Sequence, residues 1–254
     1  MKKIYLFLTA LMLTVAASAQ TTIKGDVNGD GTVDIADVTE VVNIILNPDS
    51  DDDTPVLPDT PTTDSRAIDL GLSVKWASCN VGATAPEEYG GYYAWGETEE
   101  KSYYFWDSYK YCNGTSNSMT KYCTNSGYGI VDNKITLEAS DDVATVKWGG
   151  NWRMPTRAEQ DELRNNCTWE WTTLNGVNGY RVTGPNGNSI FLPAASFREG
   201  AAVGIRGYVG YYWSSSSDSS GCSFNAEYLL FGSSYYDWAG AYRIFGLTVR
   251  PVCP

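Results

Sequence analysis

Apolar and polar positions follow four different patterns along this chain. From Ile4 to Ala16 the residues are apolar almost without a break. Val38, Val41, Val42, Ile45 and Leu46 recur at i, i+3, i+4, i+7 and i+8, the stripe of an amphipathic helix. Residues 48–65, "PDSDDDTPVLPDTPTTDS", have no period and little apolar surface to offset the entropy of ordering them. Their prolines favour an extended spacer. From residue 66 the pattern changes to short runs of period two, broken by Gly, Asn and Ser.

Those runs predict the elements of a globular domain over 66–254. "IDLGLSVKWASC" alternates as a strand, with Leu72, Val74 and Trp76 on one face. "RIFGLTVRPVC" alternates around Phe245, Leu247 and Val249. A long helix is expected near "PTRAEQDELRNN", where Thr156 and Glu159 form a T-x-x-E capping box. A shorter helix is expected in "DDVATVKWGG", closed by Gly149 and Gly150. From 172 onward, "NGVNGYRVTGPNGNSIFLP" reads as short strands joined by N-G turns. The expectation is an α+β domain, rich in strand and loop.

The N-terminal apolar run follows Lys2 and Lys3 and ends at Ala17-Ser18-Ala19, with small residues at the −3 and −1 positions. This is the pattern of a secretory signal peptide, residues 1–19, cleaved after Ala19. The run is too short to span a bilayer. Gln20 rather than Cys follows it, so no lipid anchor is expected. The expected destination is outside the cell or on its surface, without membrane insertion.

Charge and residue usage narrow the chemistry. The chain carries a formal charge of −12. Residues 21–64 hold one lysine against eleven carboxylates, whereas 65–254 hold fifteen basic against nineteen acidic side chains. Such acidity disfavours nucleic acid and anionic lipid as partners. The chain has no histidine, which removes Ser-His-Asp and Cys-His triads and His-ligated zinc. The six cysteines, at 79, 112, 123, 167, 222 and 253, all fall in the large domain. An exported chain with an even number supports one to three disulfides, Cys112–Cys123 closing a local loop, with buried free thiols as the alternative.

"DVNGDGTVDIAD", residues 26–37, places oxygen donors at alternating positions of a tight loop, as a hard cation requires. Asp26, Asn28 and Asp30 occupy positions one, three and five, and Gly31 permits the turn at six. Thr32 offers its carbonyl at seven, Asp34 sits at nine and Asp37 closes the set at twelve. Calcium is the expected cofactor. With Asp at position twelve and only "QTTIKG" before the loop, residues 20–47 resemble a single type I dockerin repeat, an EF-hand-like loop and helix. That resemblance implies docking to a cohesin in a polysaccharide-degrading assembly. The family carries two repeats and this chain has one. Ile35 and Ala36 also stand where cohesin recognition often uses Ser or Thr. A lone repeat cannot bury its apolar stripe, so a cohesin-like partner, self-association or its own large domain is expected to cover it.

In the large domain, "DLGLSVKWASCNVGATAPEEYGGYYAWGETEEK", "WGGNWRMPTRAEQDELRNNCTWEW", "GYYWSSSS" and the terminal "TVRPVC" are similar to the Fibrobacter succinogenes major paralogous domain. The resemblance spans nearly all of 66–254 and implies a C-type-lectin-like fold. Ala144, Gly149, Gly150, Met154, Thr156 and Glu159 follow that fold's helix–Gly-Gly–helix order. Its terminal cysteine corresponds to Cys253, but Trp148 occupies the usual partner position, which leaves Cys79 and Cys167 as candidate partners. The calcium-binding triplets of C-type lectins are absent from the sequence.

Aromatic residues are the remaining lead. "GYVGYYWSSSS" and "FGSSYYDWAGAY" place Tyr211, Trp213, Tyr235 and Trp238, with Tyr208, Tyr212 and Tyr236, in Gly/Ser-rich, loop-like contexts. Their ring faces could stack on sugars, with Asp237 or Asn225 accepting hydroxyl protons. The competing expectation is core packing, to which Trp76, Trp95, Trp148 and Trp152 are assigned. Arg153 is expected in a structural ion pair. The carboxylates at 87, 88, 97, 99, 100, 161 and 162 read as solvated faces rather than a catalytic pair. The combined expectation is an exported, non-enzymatic binding or adhesion module for glycan or protein, tethered through its calcium repeat. An accessory role in a polysaccharide-degrading assembly is the alternative. An enzyme with a fold like the formylglycine-generating enzymes would need a cysteine pair that cannot be placed.

Overall fold

A computed structural model of the chain describes Val33, residues 64–218 and residues 220–254. The chain divides into two units, Met1–Pro61 and Thr62–Pro254. The signal peptide and the calcium repeat lie outside the described residues, apart from Val33, which is exposed.

The second unit is mostly antiparallel sheet with two helices and much loop, an α+β arrangement. Strands β1 (Ala67–Ile68), β2 (Lys75–Ala77) and β11 (Val252–Cys253) pair in the order β1-β2-β11, tying the ends of the unit together. Asp64 belongs to the folded unit. Its Oδ2 accepts from Trp152 Nε1 at 2.8 Å, and the Arg66 guanidinium that it also holds lies 4.2 Å from the Trp148 ring. The strand expected over 68–79 is interrupted, because Asp69 Oδ1 accepts from Gly71 N at 2.7 Å and Gly71 turns with φ +73°. A left-handed residue cannot continue a strand.

Both expected helices form. Helix α1 (Val143–Trp148) starts where Asp142 accepts from Thr145 N at 3.0 Å and ends at Gly149, φ +66°. Helix α2 (Arg157–Asn166) has the reciprocal cap: Thr156 Oγ1 accepts from Glu159 N, and Glu159 Oε2 accepts from Thr156 N at 2.7 Å. Arg153 pairs with Glu159, donating from Nη1 at 2.8 Å, so the expected structural ion pair locks the cap.

After α2 come β3 (Thr168–Leu174), β4 (Val177–Thr183) and β5 (Ser189–Pro193), an antiparallel meander. Its first turn is Asn175-Gly176, with φ of +47° and +83°, the two positive values a tight hairpin of matching twist requires. The short pair β6 (Arg198–Glu199) and β7 (Ala202–Val203) leads to a second meander, β8 (Val209–Ser217), β9 (Asn225–Gly232) and β10 (Tyr235–Tyr242), with β10 at the edge. "GYYWSSSS" is therefore a strand paired with β9 rather than a loop. Its small residues make room for large neighbours: a Cβ on Gly210 would fall 2.1 Å from the Phe231 ring.

The β8–β9 pair separates two apolar cores. Trp213, Ala226 and Tyr228 face one, with Trp95, Tyr122 and Met154. Tyr212, Leu229 and Phe231 face the other, with Trp76, Tyr180 and Leu163. Strand alternation sends adjacent Tyr212 and Trp213 to opposite sides. The segment 243–250 does not alternate as expected. It threads between layers, bridging Tyr93 at Leu247 and Tyr212 at Thr248, and is buried on both sides. Trp76, Trp95 and Trp152 are buried, and Trp148 packs edge-on against Trp152 with centroids 5.0 Å apart.

All six cysteines are free. Cys79 Sγ is directed at Ala83 O (3.3 Å), Cys112 Sγ at Trp106 O (3.1 Å) and Cys123 Sγ at Asn125 O (3.1 Å). These thiols hydrogen bond to nearby carbonyls, so Cys112–Cys123 does not close, and Cys253 bonds to neither Cys79 nor Cys167. Of the two expectations, free thiols hold.

Candidate functional site

The site is built on the second meander. On β9 and β8, Tyr228 lies opposite Trp213 and diagonal to Tyr211. The Tyr211 and Tyr228 rings stack with centroids 5.4 Å apart and planes 24° apart. Phe197, just before β6, packs on Tyr211 at 5.0 Å and on Phe245 at 5.5 Å. Phe245 in turn meets Tyr242, the last residue of β10, at 5.6 Å. The five rings run in a continuous arc and line an open cleft of about 320 Å³, completed by Asn225 and the backbone around Gly240. Clefts of this size take small ligands.

Polar chemistry in the cleft is sparse. Burial pushes the Tyr228 phenol up to about 12, helped by the nearby Tyr211 and Tyr235 phenols. The Tyr211 phenol is also raised, by burial and then by Tyr235. Both phenols therefore stay protonated and can donate as well as accept. Asn225 is the one amide in the lining, and its buried Oδ1 has no hydrogen-bond partner. A buried carbonyl without a donor is costly, and this oxygen lies beneath the cleft surface rather than open to a ligand.

The four aromatic candidates separate. Tyr211 is half-buried in the cleft. Tyr235 is 48% exposed, with its phenol in electrostatic reach of Tyr211 and Tyr228. Trp213 is fully buried, and its Nε1 donates to Tyr93 O at 2.8 Å. It is a core residue with no face for a ligand, because β8 is a strand packed over the core rather than a loop. Trp238, 42% exposed, stands three positions after Tyr235 and so on the opposite face of β10. There the Arg157 guanidinium covers its ring at 3.6 Å, while Tyr236 stacks on Trp169 at 4.7 Å. Asp237 pairs with Arg164 and accepts from Trp238 N at 2.8 Å. Phe197, Tyr228, Tyr242 and Phe245 were not expected at a ligand site from sequence, where Phe245 was assigned to a strand face, since membership of the cleft depends on strand register and on a segment distant in the chain. Asn225 was, as a hydroxyl acceptor.

The carboxylates considered for catalysis are engaged elsewhere. Glu88 caps Thr84 and Ala85, and Glu87 accepts from Asn175 Nδ2. Glu97 is buried against Lys101 at 2.8 Å, Glu99 pairs with Lys147 and Glu100 accepts from Tyr92 N. Asp161 pairs with Arg157 and Glu162 accepts from Ser73.

The calcium ligands proposed from sequence, Asp26, Asn28, Asp30, Thr32, Asp34 and Asp37, lie outside the described residues. Among the described residues no group of three or more His, Cys, Asp or Glu is placed to hold a metal ion. None of their helices is long and apolar enough to cross a membrane. No protein-family model, curated protein or solved structure matches the chain.

Proposed function

We propose that this chain is an exported, non-enzymatic binding module whose large domain recognises a glycan in the aromatic cleft. The signal-peptide pattern of residues 1–19 supports export. The loop 26–37 supports a calcium-dependent tether of the type I dockerin kind. The order α1, Gly149-Gly150, capped α2 supports a C-type-lectin-like fold of the major paralogous kind for 66–254.

One observation carries the glycan reading: the five-ring arc that lines the cleft. Pyranose rings present apolar C–H faces that stack on aromatic rings, and the cleft offers such rings. Titration calorimetry of the mature chain against a panel of oligosaccharides tests this, in calcium and in chelator. Binding should survive chelation, because no calcium ligand lines the cleft, and Tyr242→Ala should weaken it at least tenfold. Wild-type affinity in Tyr242→Ala, or binding that disappears with calcium, would remove the cleft from the reading.

A further inference from the structure

We infer that the glycan site does not end with the cleft: Trp106 continues it, so that the protein grips consecutive units of a linear polysaccharide rather than one terminal sugar. The inference rests on the glycan reading above and specifies its ligand class and a further contact residue.

The ring contacts beyond the cleft repeat those inside it. Tyr211 to Phe197, Phe197 to Phe245 and Phe245 to Tyr242 have centroids 5.0, 5.5 and 5.6 Å apart, with planes tilted by 56°, 49° and 47°. Tyr242 to Trp106 is the next step, at 5.7 Å and 56°. Trp106 lies outside the cleft lining, yet its spacing and tilt extend the same series. The branch from Tyr242 through Phe224 departs from it, turning to 66° and then to 84° at Tyr128. Tyr242 is exposed, and Tyr211, Phe197, Phe245 and Trp106 are half-buried on the surface of one core. The row therefore offers accessible ring surface at every step. A steady tilt between neighbours suits a saccharide chain, whose successive ring faces turn about the chain axis.

Trp106 is held ready for such a contact. It opens a short helical turn, Trp106–Ser108, in which Trp106 O accepts from Tyr109 N at 3.3 Å. Cys112 Sγ is directed at the same carbonyl at 3.1 Å. The Trp106 ring meets Tyr109 edge-on at 6.2 Å, and Tyr109 is buried, with its hydroxyl donating to Trp95 O at 2.8 Å. A side chain already fixed loses little freedom on binding. The exposed Asp107 carboxylate, next in the chain, can accept from sugar hydroxyls.

The strength of ring stacking also argues for length. One stacked ring raises affinity by no more than about tenfold, and the cleft holds few polar groups to add to it. A single sugar is thus held weakly, whereas a chain engages several rings for one loss of translational freedom.

The test is calorimetry of the full mature chain against β-1,4-glucan, β-1,4-mannan, β-1,4-xylan and α-1,4-glucan, each from monomer to hexamer. In at least one series the wild-type affinity should rise about tenfold between disaccharide and tetrasaccharide. Trp106→Ala should abolish that rise, and Trp106→Phe, which keeps a ring, should retain most of it. A wild-type affinity that does not grow with length overturns the inference and leaves the cleft as a site for a terminal sugar. A rise that persists undiminished in Trp106→Ala overturns it too. Absence of binding to every probe removes the glycan reading and the inference with it. The wild-type length series needs no variant, so it can overturn the inference even if substitution at 106 impairs folding.

Discussion

Asp141 has a side chain only 5% exposed, yet Lys121 Nζ lies 2.5 Å from its Oδ2 and the Tyr122 hydroxyl donates to the same atom at 2.7 Å. Burial pushes its carboxyl up, but those hydrogen bonds and the lysine charge win and hold it well below the usual carboxylate range. A depressed carboxylate contributes stability above its unfolded pKa, near 4, and loses that contribution as pH falls toward its folded value. Unfolding free energy should therefore decline below about pH 4. Asp141→Asn should flatten that decline and cost about 2 kcal/mol at neutral pH by removing the charged acceptor of Lys121 and Tyr122, although Lys121 keeps Glu138. Urea titrations of both proteins from pH 2 to 7 measure the difference. An unchanged pH slope in the variant would show that other carboxylates govern acid lability. Residue-scale logic also separates Trp238 from the cleft. Its ring rests on Arg157 on the far face of β10, so Trp238→Ala should cost about 1 kcal/mol of stability while leaving cleft affinity within about twofold.

At the scale of elements, α2 is held by its cap and by packing. Thr156 closes the reciprocal cap with Glu159, which Arg153 also grips. Removing the hydroxyl in Thr156→Ala should cost about 1 kcal/mol, read from denaturant midpoints at constant m. The β8–β9 pair is more sensitive. Phe231 occupies the space over Gly210, so Gly210→Ala forces the ring aside. The expected loss is about 2 kcal/mol, with thermal unfolding as the check. A wild-type midpoint would mean that the ring repacks without strain. This pair also shows how an element hides from its sequence. Gly210, Ser214, Ser215 and Ser217 look like loop residues, yet all are buried in a strand that both cores require to be thin.

At the scale of the whole molecule, the two units make separable demands. The calcium set of residues 26–37 should bind one ion per mature chain, with Asp30→Ala and Asp37→Ala abolishing the heat of binding in calorimetry. Binding that persists in both variants would place the ion elsewhere. In the large domain, two arginines are fully buried without a carboxylate. Arg250 satisfies its nitrogens with Asn80 Oδ1, Ala77 O and Phe191 O, all within 2.9 Å. These bonds draw the C-terminal segment, the β2 end and β5 onto one guanidinium. Substituting it with Met would leave three carbonyl acceptors without donors.

Much of this was legible along the chain because it depends on neighbours within a few residues. Both helices, the Thr156–Glu159 cap, the Asn175-Gly176 hairpin and the Arg153 pair are local events, set by spacing and side-chain chemistry. The same local logic made the absence of histidine decisive for what chemistry is closed to the chain. Three outcomes needed the tertiary structure. The cysteines were free because each approach is a three-dimensional distance that no spacing encodes. Trp213 was core because a strand is defined by its partners, here β9 and the segment at Thr248, not by its own Gly and Ser content. The cleft itself gathers Phe197, Tyr211, Asn225, Tyr228, Tyr242 and Phe245 from separate segments, by strand register and by a return of the chain that only packing decides.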